Sequence, residues 1–227
     1  MGSKHRMCID YSTTINRVTK EDGYPFPLIE EIVNRLARYR RFSKFDLKAA
    51  YNQVAIPEAD IPKTAFWANQ RQFEYTRIPF GLRNAVSAFQ RIMDNIIREE
   101  GLTDTFVYLD DVTIGGEDQA QHDLNVKHFE YVCKTRNLTL NNKKTIRNVA
   151  EVDILGYRVG NKIIRPGPEK LKRLETFPPP KTFKELQSLK GLLAYYSRWI
   201  PKFSSKLYPL TRITEFPIKG EALRSLR

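Results

Sequence analysis

The sequence predicts an α+β fold of the split β-α-β kind, followed by a smaller helical lobe. Two observations set the fold class and a third sets the lobe. Residues 84–100 carry Ala85, Ala88, Phe89, Ile92, Met93, Ile96 and Ile97 at helical spacing, with Gly101 placed to stop the helix. Immediately after it, TFVYL (105–109) and VTIGG (112–116) flank Asp110-Asp111, a strand–turn–strand signal. Near residue 160 the composition shifts, and the last third of the chain is helical and basic.

Taken in order, Pro27 opens a helix whose apolar stripe is Leu28, Ile29, Ile32, Val33 and Leu36. FSKFDL (42–47) reads as a strand, and QVAI (53–56) with QFEYTRI (72–78) reads as a long hairpin running through residues 57–62. The helix at 84–100 and the two strands around Asp110-Asp111 come next, then a helix at about 118–136 and a short strand LTL (138–140). VDILGYRV (152–159) and KIIR (162–165) pair around Gly160-Asn161. Pro168 begins a short helix carrying Leu171, Leu174 and Phe177, stopped by the three prolines at 178–180. Thr182 and Glu185 form a capping box for a last helix with the stripe Phe183, Leu186, Leu189, Leu193, Tyr196 and Ile200, ended by Pro201.

Composition narrows the function classes. The 227 residues fit one large domain or two small ones, and no internal repeat occurs. Two cysteines, Cys8 and Cys133, exclude a disulfide framework and a cysteine-based zinc cage. His5, His122 and His128 lack metal-ligand spacing. No apolar run approaches the roughly 18 residues of a membrane span. The opening MGSKHRMCID has no signal-peptide segment, and its MGS resembles a cloning scar. Arg6 stands where a myristoylation motif needs Ser or Thr. The expectation is an intracellular chain with no membrane partner. The net charge of +12 is local: residues 134–206 hold 17 Lys and Arg against 5 Asp and Glu, and the remainder is balanced. Such a block faces a polyanion more often than it forms a merely basic surface, which points to nucleic acid.

In a split β-α-β sheet the end of the first strand lies beside the turn joining the two middle strands. Asp46 ends that strand and Asp110-Asp111 occupy that turn, so three carboxylates converge on one sheet edge. Ionised carboxylates gathered together repel, and hard oxygen ligands suit Mg²⁺ or Mn²⁺. Two such ions about 3.5–4 Å apart support phosphoryl transfer. Asp-Asp is also ordinary turn chemistry. A chance Tyr-x-Asp-Asp, however, is expected only about 0.02 times in a chain of this size, and Asp46 stands at the matching strand end.

These residues sit within segments that resemble a known family. RMCIDY (6–11), FDLKAAYNQV (45–54), KTAFW (63–67), FEYTRIPFGLRNAVSAFQRIMD (73–94), VYLDDV (107–112), LTLNNKK (138–144), ILGYRV (154–159) and TFKELQSLKGLLAYYSRWIPKF (182–203) occur in the order found in reverse transcriptases of gypsy-type LTR retrotransposons, relatives of the retroviral polymerases. The resemblance implies a right-hand polymerase. Residues 1–41 and 52–79 would form partial fingers, 42–51 and 80–160 the palm, and 161–227 the start of the thumb and connection. It implies RNA-directed DNA polymerase activity with two Mg²⁺ (or Mn²⁺) held by Asp46, Asp110 and Asp111.

By the same resemblance Tyr51 is the aromatic gate under the incoming sugar, with Leu47 beside it in the nucleotide-binding set. Phe80 and Gly81 match the turn lining the nucleotide and template pocket, and Arg6 the fingers arginine on the triphosphate. Lys144 matches the lysine that protonates pyrophosphate, with Lys143 adjacent. Leu155, Gly156 and Tyr157 match the primer-grip hairpin. The implied partners are a primed RNA or DNA template, dNTPs, and other pol-derived modules (RNase H, integrase) or a second subunit, in the cytoplasm or a virus-like particle. Ser12 stands where the family has arginine and Val86 where it has proline. The chain starts late in the fingers and stops where the connection and RNase H module would begin, so a non-catalytic nucleic-acid-binding remnant is the alternative.

Overall fold

The computed structural model describes residues 8–213, and Arg6 lies outside them. The described chain divides into two compact units. The first runs to Val152 and takes back Val159–Ile163, and the second is Asp153–Arg158 with the chain from Ile164 onward.

The first unit opens with a one-turn helix α1 (Ile15–Val18) and α2 (Ile29–Leu36). Glu30 and Glu31 in the first turn of α2 complement its dipole, and Ile32, Val33 and Leu36 are buried. Leu28, expected in that stripe, is instead the N-cap residue and is 64% exposed. Strand β1 (Arg41–Asp46) follows.

The long hairpin expected over 53–78 is only partly regular. Ile56 N–H donates to Thr76 and Ile78 N–H to Val54, but Ala50–Gln53 and Glu58–Thr64 coil into 3₁₀ turns. Pro57 and Pro62 have no N–H to give a ladder, which is why the pairing breaks there. The regular ladder is the short pair β2 (Phe66–Ala68) and β3 (Arg71–Phe73), closed by Asn69 and Gln70 at φ 48° and 59°.

Helix α3 (Ala85–Glu99) ends in a Schellman motif: Leu102 N–H reaches Ile97 and Gly101 N–H reaches Arg98, with Gly101 at φ 62°. Strands β4 (Thr105–Tyr108) and β5 (Asp111–Gly116) form the central hairpin, and α4 (Gln119–Thr135) follows, its first turn capped by Asp118. The expected strand 138–140 reduces to a single bridge between Leu140 and Leu47. The sheet's fourth strand is instead β6 (Ile146–Val149), giving the order β4-β5-β1-β6. β6 is an edge strand whose side chains are largely exposed, so it carries no apolar alternation by which to find it. Beneath the sheet, Phe45, Phe89, Met93, Val112, Ile114, Phe129 and Val132 join β1, β5, α3 and α4 in one core.

Residues 152–159 are two strands rather than one. β7 (Glu151–Ile154) and β8 (Tyr157–Gly160) are joined by Leu155-Gly156, and β9 (Ile163–Pro166) completes a three-stranded sheet in the order β7-β8-β9. In the second unit α5 (Pro168–Glu175) and α6 (Phe183–Tyr195) lead through a 3₁₀ turn, Ser197–Trp199, to α7 (Phe203–Thr211). Thr182 Oγ1 accepts Glu185 N–H at 3.2 Å, as a capping box requires, while the Glu185 carboxylate reaches Lys181 N–H rather than the cap's own. The last stripe breaks before Ile200: the Trp199 indole donates to Ile164 C=O at 3.1 Å in the tighter turn. Among the described residues no helix is long and apolar enough to cross a membrane.

Candidate active site

β1 and β5 are antiparallel, and their register sets Asp46 opposite Asp111. The pairing continues one step further, because Leu47 N–H donates to Asp110 C=O at 3.0 Å. Asp110 therefore sits in the turn between β4 and β5 against the end of β1, and the three aspartates lie at one end of the sheet. That turn has only Leu109 and Asp110 between the paired residues Tyr108 and Asp111, and Leu109 takes φ 58°. A left-handed leucine costs of order 1–3 kcal/mol and persists only where its surroundings hold it.

Each carboxylate has a different environment. Asp46 is nearly buried; Asn141 Nδ2 donates to its Oδ1 at 2.8 Å and Lys144 Nζ to its Oδ2 at 2.8 Å. Asn141 N–H also donates to the Asp46 carbonyl at 2.8 Å, so residues 141–144 form a bracket around this one residue. Asp111 pairs with Lys44 at 3.0 Å. The Asp110 carboxylate makes no hydrogen bond or ion pair among the described residues, and the residue lines a cleft. The Lys144 ammonium is held above the usual lysine range by its hydrogen bond to Asp46, against an opposing desolvation cost and with the charges of Asp46, Asp110 and Asp111 adding to the rise.

The cleft, about 530 Å³ in volume, is lined by Asp46, Leu47, Tyr51, Phe80, Asp110 and Lys144 among others. Tyr51 leaves β1 through a left-handed Ala49 (φ 50°, ψ 51°). Its ring meets Phe80 and Phe89 edge-on, each at 5.4 Å between centroids, which locks the phenol in one orientation. Burial, helped by the Asp110 charge, raises the Tyr51 phenol above its ordinary pKa, so it stays neutral. Gly81 does not line the cleft, but its glycine is obligatory: φ is 95°, and an added Cβ would lie 2.7 Å from the Ile9 carbonyl. Asn16 fixes this turn from both sides, donating to Gly81 C=O at 2.7 Å and accepting Arg83 N–H at 2.8 Å.

Leu155, Gly156 and Tyr157 belong to the second unit. Leu155 and Gly156 have φ of 50° and 80°, the left-handed pair of a tight hairpin. An added Cβ on Gly156 would overlap Lys170 Cε. Lys170 Nζ lies 4.2 Å from the Tyr157 ring centroid and 4.8 Å from that of Tyr195, and the Arg198 guanidinium stands 5.2 Å from Tyr157. Lys170 is thus an internal support of the hairpin and not a free surface charge.

Sequence reasoning missed four supports of the first-unit site. Lys44 and Asn141 touch the carboxylates directly. Gln90 on α3 is fully buried and accepts Leu109 N–H at 2.8 Å. Ser43 Oγ meets His122 Nε2 at 2.9 Å and accepts Asn148 N–H at 3.1 Å, which fastens β6 to β1. Only Lys44 carried a usable signal, since residues two apart on a strand share a face.

The donor chemistry at this end of the sheet, carboxylate oxygens alone, fits a hard divalent cation. Among the described residues no three His, Cys, Asp or Glu side chains are drawn together as a ready ligand set. Two lysines pair with Asp111 and Asp46, and an entering cation must displace or outcompete them.

The reverse transcriptase (RNA-dependent DNA polymerase) family model matches residues 2–159. Two Drosophila melanogaster sequences are similar along nearly all of this chain. The retrovirus-related Pol polyprotein from transposon gypsy is 36% identical over 219 residues, covering 95% of this chain and 20% of its own length. That from transposon opus is 35% identical over 211 residues, covering 93% and 21%. This chain spans about a fifth of these relatives. A foamy viral protease–reverse transcriptase solved in complex with double-stranded DNA shares the fold, at TM-score 0.78 and 24% identity over 91% of this chain and 36% of that one. The family match reaches from residue 2 through the aspartate turn into β8, and on it the chain belongs to the reverse transcriptase family, in the branch of the gypsy-type retrotransposons.

Proposed function

We propose that this chain is the polymerase portion of a retroelement reverse transcriptase, adding deoxynucleotides to a primer 3′-OH on an RNA or DNA template. The observation that carries this reading is the register of β1 and β5: Asp46 stands opposite Asp111, with Asp110 in the adjoining turn on the cleft that holds Tyr51 and Phe80. In this reading residues 42–51 and 80–160 are the palm, the chain before and between them is fingers, and 161–227 begins the thumb.

Asp46, Asp110 and Asp111 would hold Mg²⁺ or Mn²⁺. Such ions would supply a Lewis acid for the primer hydroxyl and countercharge for the triphosphate. The chain's own residues do the rest. Tyr51, locked between Phe80 and Phe89, walls the cleft where the sugar would sit and excludes a 2′ oxygen by volume. Lys144 stays protonated beside Asp46, so it can neutralise the triphosphate and give a proton to the departing pyrophosphate. Gly81 and Asn16 fix the turn that carries Phe80 into the wall. The primer-grip role of Leu155–Tyr157 and the triphosphate contact of Arg6 complete the proposal from the family resemblance.

Primer extension on poly(rA)/oligo(dT) with Mg²⁺ or Mn²⁺, beside the Asp110→Asn protein, tests the reading. Metal-dependent dTMP incorporation lost in the variant supports it. A wild-type chain that binds the hybrid but extends nothing would make it a nucleic-acid-binding remnant.

A further inference from the structure

Lys44 stands two residues before Asp46 on β1, so both side chains leave the same face of the strand. Its register partner is Thr113, and its ammonium crosses diagonally to Asp111, where Nζ lies 3.0 Å from Oδ2. Neither group is fully solvated: the side chains are 21% and 30% exposed. Asp46 and Asp110 line the cleft and Asp111 does not. Lys144 makes the equivalent contact to Asp46 from within the cleft, but that lysine is 61% exposed and free to move with a ligand. Lys44 springs from the middle of the sheet and has no such freedom.

We propose that Lys44 is the resident counter-cation of the aspartate cluster, a positioning residue that holds Asp111 in the metal-free protein and weakens divalent-ion binding until a nucleotide brings its own negative charge. This deepens the polymerase reading and rests on it. The charge count supplies the reason. Three carboxylates with two ammonium groups leave one net negative charge, enough to attract one divalent ion. A second ion would leave the site strongly positive, and the triphosphate reverses that excess. Without Lys44 the cluster would carry two net negative charges, attract ions more strongly and repel itself when empty.

The test is a Mn²⁺ titration of the metal-free protein, without nucleotide, followed by the electron paramagnetic resonance signal of free Mn²⁺, together with thermal melting in EDTA. Lys44→Met is expected to tighten Mn²⁺ binding about fivefold, the scale of one partly exposed ion pair, and to lower Tm in EDTA but not in excess Mn²⁺. Lys44→Arg, which keeps the charge, should behave as wild type and shows that the position tolerates change. Lys48→Met removes a cation that lines the cleft without holding Asp111, and it should tighten binding much less. Unchanged affinity in Lys44→Met would overturn the proposal, as would equal tightening in Lys48→Met. If instead wild-type Mn²⁺ binding survived Asp46→Asn and Asp110→Asn combined, the metal assignment itself would fall, a result distinct from either.

Discussion

Gln90 Oε1 accepts the backbone N–H of Leu109 at 2.8 Å, so a buried side chain of α3 grips the residue just before the Asp110-Asp111 pair. Its amide donates to the Val107 carbonyl at 3.3 Å and to Asp94 Oδ1 at 3.0 Å, and Tyr24 OH closes the network on Asp94 Oδ2 at 2.7 Å. β4 is an edge strand, so α3 supplies the partner that another strand would otherwise provide. The left-handed φ of Leu109 is thereby tied to the helix that carries the core.

Gln90→Met preserves the volume and removes both hydrogen-bonding ends. It should cost about 2–3 kcal/mol, because Leu109 N–H and Val107 C=O are left buried and unpaired, and lower Tm by about 5–10 °C. Primer extension should fall more than hybrid binding, since the variant loosens the aspartate turn and leaves the basic surface intact. Calorimetry with an anisotropy titration checks it, and equal losses in both activities would point to general unfolding.

Asp110→Asn should reduce extension by about 10³-fold or more with Tm nearly unchanged, as the Asp110 carboxylate makes no hydrogen bond or ion pair among the described residues. Asp46→Asn should be equally inactive. It also gives up the pair with Lys144, but that lysine is 61% exposed, so the stability cost stays below about 1 kcal/mol. Extension by either variant at the wild-type rate would remove it from the site.

Tyr51→Val should admit ribonucleotides. The ring's edge-on contacts with Phe80 and Phe89 hold it as a fixed wall, and a smaller side chain leaves room for a 2′-OH. The ratio of kcat/KM for dTTP over UTP is expected to drop by about tenfold or more, at a packing cost of about 1–2 kcal/mol. An unchanged ratio would mean that another group makes the discrimination.

The two cysteines should behave differently toward a thiol reagent. Cys8 is exposed, while Cys133 is buried in the core and its thiol is pushed up to about 12 by that burial. One equivalent should react in the native protein and the second only in denaturant. Rapid modification of both under native conditions would contradict the packing of α4.

The sheet's centre was legible because its signals were local. The stripe of α3, the hairpin around Asp110-Asp111 and the strand ending at Asp46 each announce themselves within about 15 residues. What brings Asp46 to Asp111 is the β1–β5 register, which the topology rule anticipated. The illegible parts depend on contacts across the chain. β6 is an exposed edge with no apolar alternation. Gln90 lies on the apolar face of a helix and reads as an ordinary polar interruption until the turn it binds is known. Asn141 reaches Asp46 across 95 positions, which no spacing rule covers. The charge block was visible in number but not in orientation, as Lys170 shows by spending its ammonium on Tyr157 and Tyr195.

The engagement of Lys170 with these rings decides which charges of the basic block can be tested. If the second unit grips a duplex backbone, affinity for an RNA/DNA hybrid should fall steeply with salt, each phosphate contact contributing about −0.9 to the slope of log K against log salt. Lys170 is the wrong residue to neutralise, since its removal would disturb the Leu155-Gly156 hairpin as well as the charge. Lys181, Lys184 and Lys202 are exposed along the second unit and can be changed without touching a core contact. Converting all three to Gln should flatten the slope by up to about three units and leave base preference unaltered, because phosphate contacts position without reading sequence. The comparison is Arg38, Arg40 and Arg41, which lie outside residues 134–206, in the part of the chain whose charge is balanced. Arg38 and Arg40 lie past the end of α2 and line a separate cleft with Lys162, Glu117 and Asp118, where the two carboxylates partly offset the positive charge. Neutralising that triple should change the slope by less than about one unit. Two fluorescence-anisotropy salt series settle the matter. Equal flattening by both triples would show that the hybrid senses the chain's total charge and that the block from 134 to 206 has no privileged role, while the aspartate site would stand on its own geometry.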